Sequence, residues 1–70
     1  MGLTLAPVKR LLKKHGAKRV SDSAAKELAK ILEDKAVSIC VEAKKLAEHS
    51  GRRTVMKNDI KLARKIVEQR

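Results

Sequence analysis

Residues 21–49 read SDSAAKELAKILEDKAVSICVEAKKLAEH, and this stretch decides the fold. It contains neither Pro nor Gly and is dominated by Ala, Lys, Glu and Leu, the residues that lose least side-chain freedom in a helix. Ser21 and Asp22 supply an N-cap and a first-turn anion, and Gly51 stands just past the far end, where helices commonly close through a left-handed residue. At about 1.5 Å per residue the helix is roughly 40 Å long. A globule of this size has a radius of gyration of only about 11 Å. Leu28, Ile31, Leu32, Ala36, Ile39, Cys40, Ala43, Leu46 and Ala47 recur at steps of three and four, so one face needs cover along its whole length. The flanking segments are too short to provide it, and the helix calls for a second chain.

Upstream, Thr4 caps a first helix with Pro7 in its opening turn, where a missing N–H costs little. Leu5, Val8, Leu11 and Leu12 form its apolar stripe, and Gly16 ends it as a left-handed cap. Downstream, a last helix starts between Met56 and Asn58, with Ile60, Ala63, Ile66 and Val67 as its inner face. The two connections resemble each other. Gly16-Ala17-Lys18-Arg19-Val20-Ser21-Asp22 and Gly51-Arg52-Arg53-Thr54-Val55, followed by Asp59, both run glycine, basic pair, β-branched residue, helix start with an acid. The chain is thus all-α, a single domain over 1–70: short helix, basic link, long helix, basic link, short helix. If two long helices cross antiparallel, the first link of one chain lies near the second link of the other.

The chain has no Trp, Tyr or Phe, and 18 Lys+Arg against 8 Asp+Glu give a formal net charge of +10. A core built only from Leu, Ile, Val and Ala in 70 residues is marginal unless nearly all of it is buried, which again favours an oligomer. The single Cys cannot form an intrachain disulfide, and with no secretory or membrane-spanning run the expectation is a cytoplasmic protein. The charge is segregated. Residues 1–19 hold six cations and no acid, residues 20–50 five cations and six acids, and residues 51–70 seven cations and two acids. Solubility alone gives no reason to separate a near-neutral long helix from two basic flanks. A localised polyanion-binding surface does. Without aromatic residues there is no stacking platform of the kind used to bind single strands. No nucleophile–base arrangement, phosphate-binding glycine loop or ligand-spaced His or Cys cluster is present, so no enzyme, cofactor, metal site, small-molecule substrate or membrane role is expected.

Leu5-Ala6-Pro7-Val8 near the start, Gly16-Ala17-x-Arg19-Val20-Ser21-Asp22 into the long helix, and Gly51-Arg52-Arg53-Thr54-Val55 with Asp59-Ile60 after it together resemble an archaeal-type histone. The likeness covers essentially the whole chain. It implies the histone fold, an intertwined handshake homodimer with a curved basic surface that binds and compacts double-stranded DNA in the nucleoid. On this resemblance Arg10 and Arg19 face DNA, Arg19 entering the minor groove. A planar, weakly hydrated guanidinium enters that focused negative potential more readily than an ammonium. Thr54 matches the threonine that orients this arginine. Arg52 and Asp59 match a structural ion pair, and Leu46, His49 and Leu62 match the surface where one dimer meets the next. The family's stacking pattern commonly opposes a lysine near position 30 with an acid near 61, but Lys30 and Lys61 are both cationic here. Asp34 with Lys65 could still pair across such a contact, and stacking beyond a few dimers is expected to be weaker unless DNA supplies the countercharge.

Read from the residues themselves, Arg53, Lys13 and Lys18 are phosphate-contact candidates, with Lys57, Lys9 and Lys14 behind them. The backbone N–H groups around Ser21, at the positive end of the long helix, form a further anion site. Cys40, on the apolar stripe, reads as core. Two other readings compete: a basic RNA-binding protein, and one half of a heterodimeric histone-fold interaction pair.

Overall fold

The computed structural model describes residues 4–70. Three α-helices follow in order, α1 (Leu5–Lys14), α2 (Asp22–His49) and α3 (Lys57–Glu68), and no strand occurs among the described residues.

The two links begin the same way. At the end of α1 the Gly16 N–H donates to the Lys13 carbonyl at 3.1 Å and the Ala17 N–H to the Leu12 carbonyl at 3.1 Å. At the end of α2 the Gly51 N–H donates to the Glu48 carbonyl and the Arg52 N–H to the Ala47 carbonyl, both at 2.9 Å. Each pair is a Schellman closure, which satisfies the last carbonyls of the helix and requires a left-handed residue at the glycine. Gly16 (φ 109°) and Gly51 (φ 74°) take that conformation, which no other described residue adopts.

The starts of the helices differ. Ser21 caps α2 with its own side chain: Oγ accepts the Ala24 N–H at 3.1 Å. Thr4 occupies the N-cap of α1 with extended backbone but makes no side-chain cap bond. Pro7, the third helical residue, lacks an N–H that would have had no helical partner. Met56 precedes α3 with no useful capping oxygen. Asp59 takes over, its Oδ2 accepting the Met56 N–H at 2.8 Å, as an N3 acid does in a capping box.

Packing divides the chain near the middle of α2 into two compact units, one ending at Asp34 and one spanning Lys35–Arg70. In the first, Val8 of α1 and Ala25 and Ala29 of α2 form the buried centre, with Leu5, Leu12, Val20 and Leu28 around them. In the second, Ala43, Ala47 and Ala63 are buried, and α3 is tied to α2 by ion pairs of Arg70 with Glu42 and, at 3.5 Å, of Lys35 with Glu68.

The apolar positions of α2 form two sets rather than the one stripe expected from the sequence. Alanines at 25, 29, 43 and 47 are covered by the chain itself, small residues that let a second helix come close. Ile31, Val37 and Val41 remain 55%, 55% and 49% exposed, and Leu32, Ala36 and Cys40 are exposed as well. The expectation that Cys40 is core is therefore corrected: its side chain lies outside the cores this chain builds alone. An open apolar groove of about 240 Å³ adjoins this surface, lined by Thr4, Pro7, Val8, Leu11 and Leu32.

A Cβ added at Gly51 meets no atom within 4 Å, so the cost of substitution there is purely conformational. Gly51→Ala should destabilise the protein by about 1–2 kcal/mol, the strain of a left-handed L-residue, and Gly51→Asn by less. Urea unfolding at fixed protein concentration measures both, and equal stability of Gly51→Ala and wild type would contradict the assignment.

Candidate nucleic-acid interface

The first link presents its charge outward. Val20 is half-buried against the α1–α2 core and anchors the segment, while Lys18 and Arg19 are exposed. On α1, Val8 points inward and Arg10, Lys13 and Lys14 are exposed. None of these five cations forms an ion pair among the described residues. Lys9 is different: it pairs with Asp22 at the first turn of α2. The hydrogen bond from Lys9, followed by its charge, holds the Asp22 carboxyl below the usual carboxylate range. That pair weakens Lys9 as a phosphate contact and places an acid beside the helix N-terminus. Because Ser21 Oγ already accepts the Ala24 N–H, the anion-binding capacity expected around Ser21 rests on the remaining first-turn N–H groups.

The second link is braced by a charged clamp. Arg52 donates from Nη1 to Asp59 Oδ2 at 2.8 Å and from Nη2 to Asp59 Oδ1 at 2.9 Å, a two-point pairing across the turn into α3. Nη1 also donates to the Thr54 carbonyl at 3.0 Å. Asp59 additionally accepts the Met56 N–H, so one buried carboxylate ties together the link, the start of α3 and the Arg52 side chain. The Arg52 bonds, then that of Met56, hold the Asp59 carboxyl down at about 2, and the same contact raises Arg52. A planar guanidinium facing a carboxylate is the geometry in which an arginine fixes a backbone. Arg53 and Thr54 are left exposed on the outside of this braced turn, with Lys57 exposed on the first turn of α3.

Leu46 is half-buried one turn before the end of α2, with His49 and Leu62 exposed. All three belong to the C-terminal unit. Sequence reasoning missed Glu42, a buried acid on α2 paired with Arg70. Its place between Ile39 and Leu46, on the apolar register, was the signal. Among the described residues no group of His, Cys, Asp or Glu could hold a metal ion, and no helix is long and apolar enough to cross a membrane.

Residues 1–63 match the profile of the family described as histone-like transcription factor (CBF/NF-Y) and archaeal histone. The chain belongs to this histone-fold family. It is 48% identical over 61 residues to one of the subunits of archaeal histone HAN1 from Thermococcus zilligii, covering 87% of this chain and 91% of that protein. It is 46% identical, over the same shares, to probable archaeal histone 3 of Methanocaldococcus jannaschii. The three helices α1–α3 are accordingly those of the histone fold. Members of this family are DNA-binding structural proteins that dimerise, not enzymes.

In this histone the Arg52–Asp59 clamp makes stability depend on acid. A carboxyl held near 2 when folded and near 3.8 when unfolded stabilises the fold fully above about pH 5 and loses that contribution as pH falls through 4 toward 2. Asp59→Asn should melt at a lower temperature than wild type at pH 7, and the gap should close as pH approaches 2. Circular dichroism melts across this range at one protein concentration test it. A gap independent of pH would exclude the clamp as its source.

Proposed function

We propose that this histone, read as one domain over 1–70, acts as a handshake homodimer that binds duplex DNA with little sequence preference, bends or wraps it, and compacts it in the nucleoid. The observation that carries the reading is the division of labour along the chain. The near-neutral α2 exposes Ile31, Val37 and Val41, while exposed, unpaired cations gather on α1 and the links. An apolar helix face with short flanks is covered by a second α2, and antiparallel crossing brings the first link of each copy toward the second link of the other. Arg10, Lys13, Lys18, Arg19 and Arg53 then engage phosphates and the minor groove. Thr54 orients Arg19, Lys57 and the N–H groups around Ser21 add phosphate contacts, and the Arg52–Asp59 clamp fixes the second link. Leu46, His49 and Leu62 form the surface through which one dimer meets another on DNA.

Affinity on this reading comes mainly from counterion release and falls steeply with salt, and preference is confined to flexible or A·T-rich sequence. Arg19→Ala should weaken binding to unrelated duplexes alike and reduce the slope of log affinity against log salt by about one charge per contact removed. Unchanged affinity and slope would remove Arg19 from the interface.

The T. zilligii relative carries the name of one component of a larger assembly, which favours a second reading, a heterodimer. Sedimentation of the isolated chain separates the two. A homodimer without DNA is expected, and Val41→Asp, which sets a charge on the uncovered face, should convert it to monomer. A wild-type monomer would favour a different partner.

A further inference from the structure

The outward surface of α3 is not used by the links or by the core. Lys57, Lys61 and Lys65 recur at i, i+4 and i+8 and are all exposed, with Arg64 beside them. The rise from Lys57 to Lys65 is about 12 Å. Of the acids of α3, Asp59 is turned inward into the Arg52 clamp and Glu68 is held by Lys35 at 3.5 Å and Arg64 at 3.9 Å. Lys57, Lys61 and Lys65 form no ion pair among the described residues, although Glu68 lies three positions beyond Lys65. Like charges at i, i+4 weaken a helix by about as much as opposite charges strengthen it. A solvated face would need no such row, and α2 shows the ordinary alternative with its interspersed acids.

We propose that this row, beginning at Lys57 and continuing through Lys61 and Lys65, is a second duplex-binding surface, one that takes the phosphate backbone of a DNA segment other than the segment held at the links. Measured along the duplex axis, the row's length corresponds to about three to four phosphates of one strand at roughly 3.4 Å of rise each. Lysine suits this role, because a compact charge on a flexible stem follows a backbone without needing a fixed base edge. Lys57 opens α3 directly after the second link, so the row starts at that link and runs along the helix away from it. The protein thereby bridges two duplexes as well as bending one. This rests on the function proposed above, which supplies the first DNA segment.

The test pairs two assays on the full chain. In the first, a biotinylated duplex on beads is saturated with protein and challenged with a labelled second duplex. In the second, affinity for one short duplex is measured in solution. Wild type should capture the second duplex. Lys61→Gln/Lys65→Gln, with helicity checked by circular dichroism, should capture about tenfold less while its single-duplex affinity stays within about twofold, since only contacts to the second backbone are removed. Lys61→Arg/Lys65→Arg should restore capture. Undiminished capture by the Gln variant would overturn the proposal, as would an equal loss in both assays, which would assign the row to the first surface. Retention of polyglutamate as strong as that of the second duplex would assign it to an acidic protein segment and overturn it too. A wild type that binds no single duplex would fail the earlier reading instead.

Discussion

The constraint on which everything else depends is that α2 carries more apolar surface than its own chain can cover. The two short helices bury its alanines, where backbones approach closely, and stop there. Ile31, Val37 and Val41 are left facing outward, at roughly 25 cal/mol per Å² for whatever removes them from water. A 70-residue chain without aromatic residues has little to set against conformational entropy beyond this surface. The fold is therefore built to be completed by another helix, and the family to which it belongs completes it by dimerisation.

Electrostatics follow from that geometry. The surface that must be covered carries little net charge, while α1 and the links carry eight cations and no acid. Two devices keep the links in shape while committing only one of those cations, Arg52, to a protein contact. One is the pair of Schellman closures, which set the chain direction through backbone bonds alone. The other is the Arg52–Asp59 clamp, in which a single buried carboxylate serves as helix cap, hydrogen-bond acceptor and counter-charge. The side chains of Arg53 and Thr54 lie outside that clamp, while the Thr54 carbonyl accepts from Arg52 within it.

Much of this was legible in the residues, because helix limits are written in local chemistry. Gly16 and Gly51 mark ends, Ser21 marks a start, and the long Pro- and Gly-free run leaves no other place for a spine. The candidate site was read from charge segregation and from motifs shared with a known family. What escaped was whatever depends on which side of α2 each short helix meets. Cys40 looked like core because period alone cannot distinguish a face covered by the same chain from one left for another. Glu42 was not singled out because a lone acid in a charged helix gives no local signal, yet it lies on the buried register with Arg70 beside it. Lys9 looked like a free cation until α1 was placed beside Asp22.

The sequence by itself determined three helices, two glycine-closed basic links and the need for a second chain, since each follows from backbone preference, periodicity or composition. Only the tertiary structure decided which cations are engaged inside the protein and which remain available. Lys9 and Arg70 are taken by acids from elsewhere in the chain, while Arg19, Arg53 and the α3 lysines are not. Pairing between charges distant in sequence depends on separations of a few ångströms, and those exist only once the helices have packed.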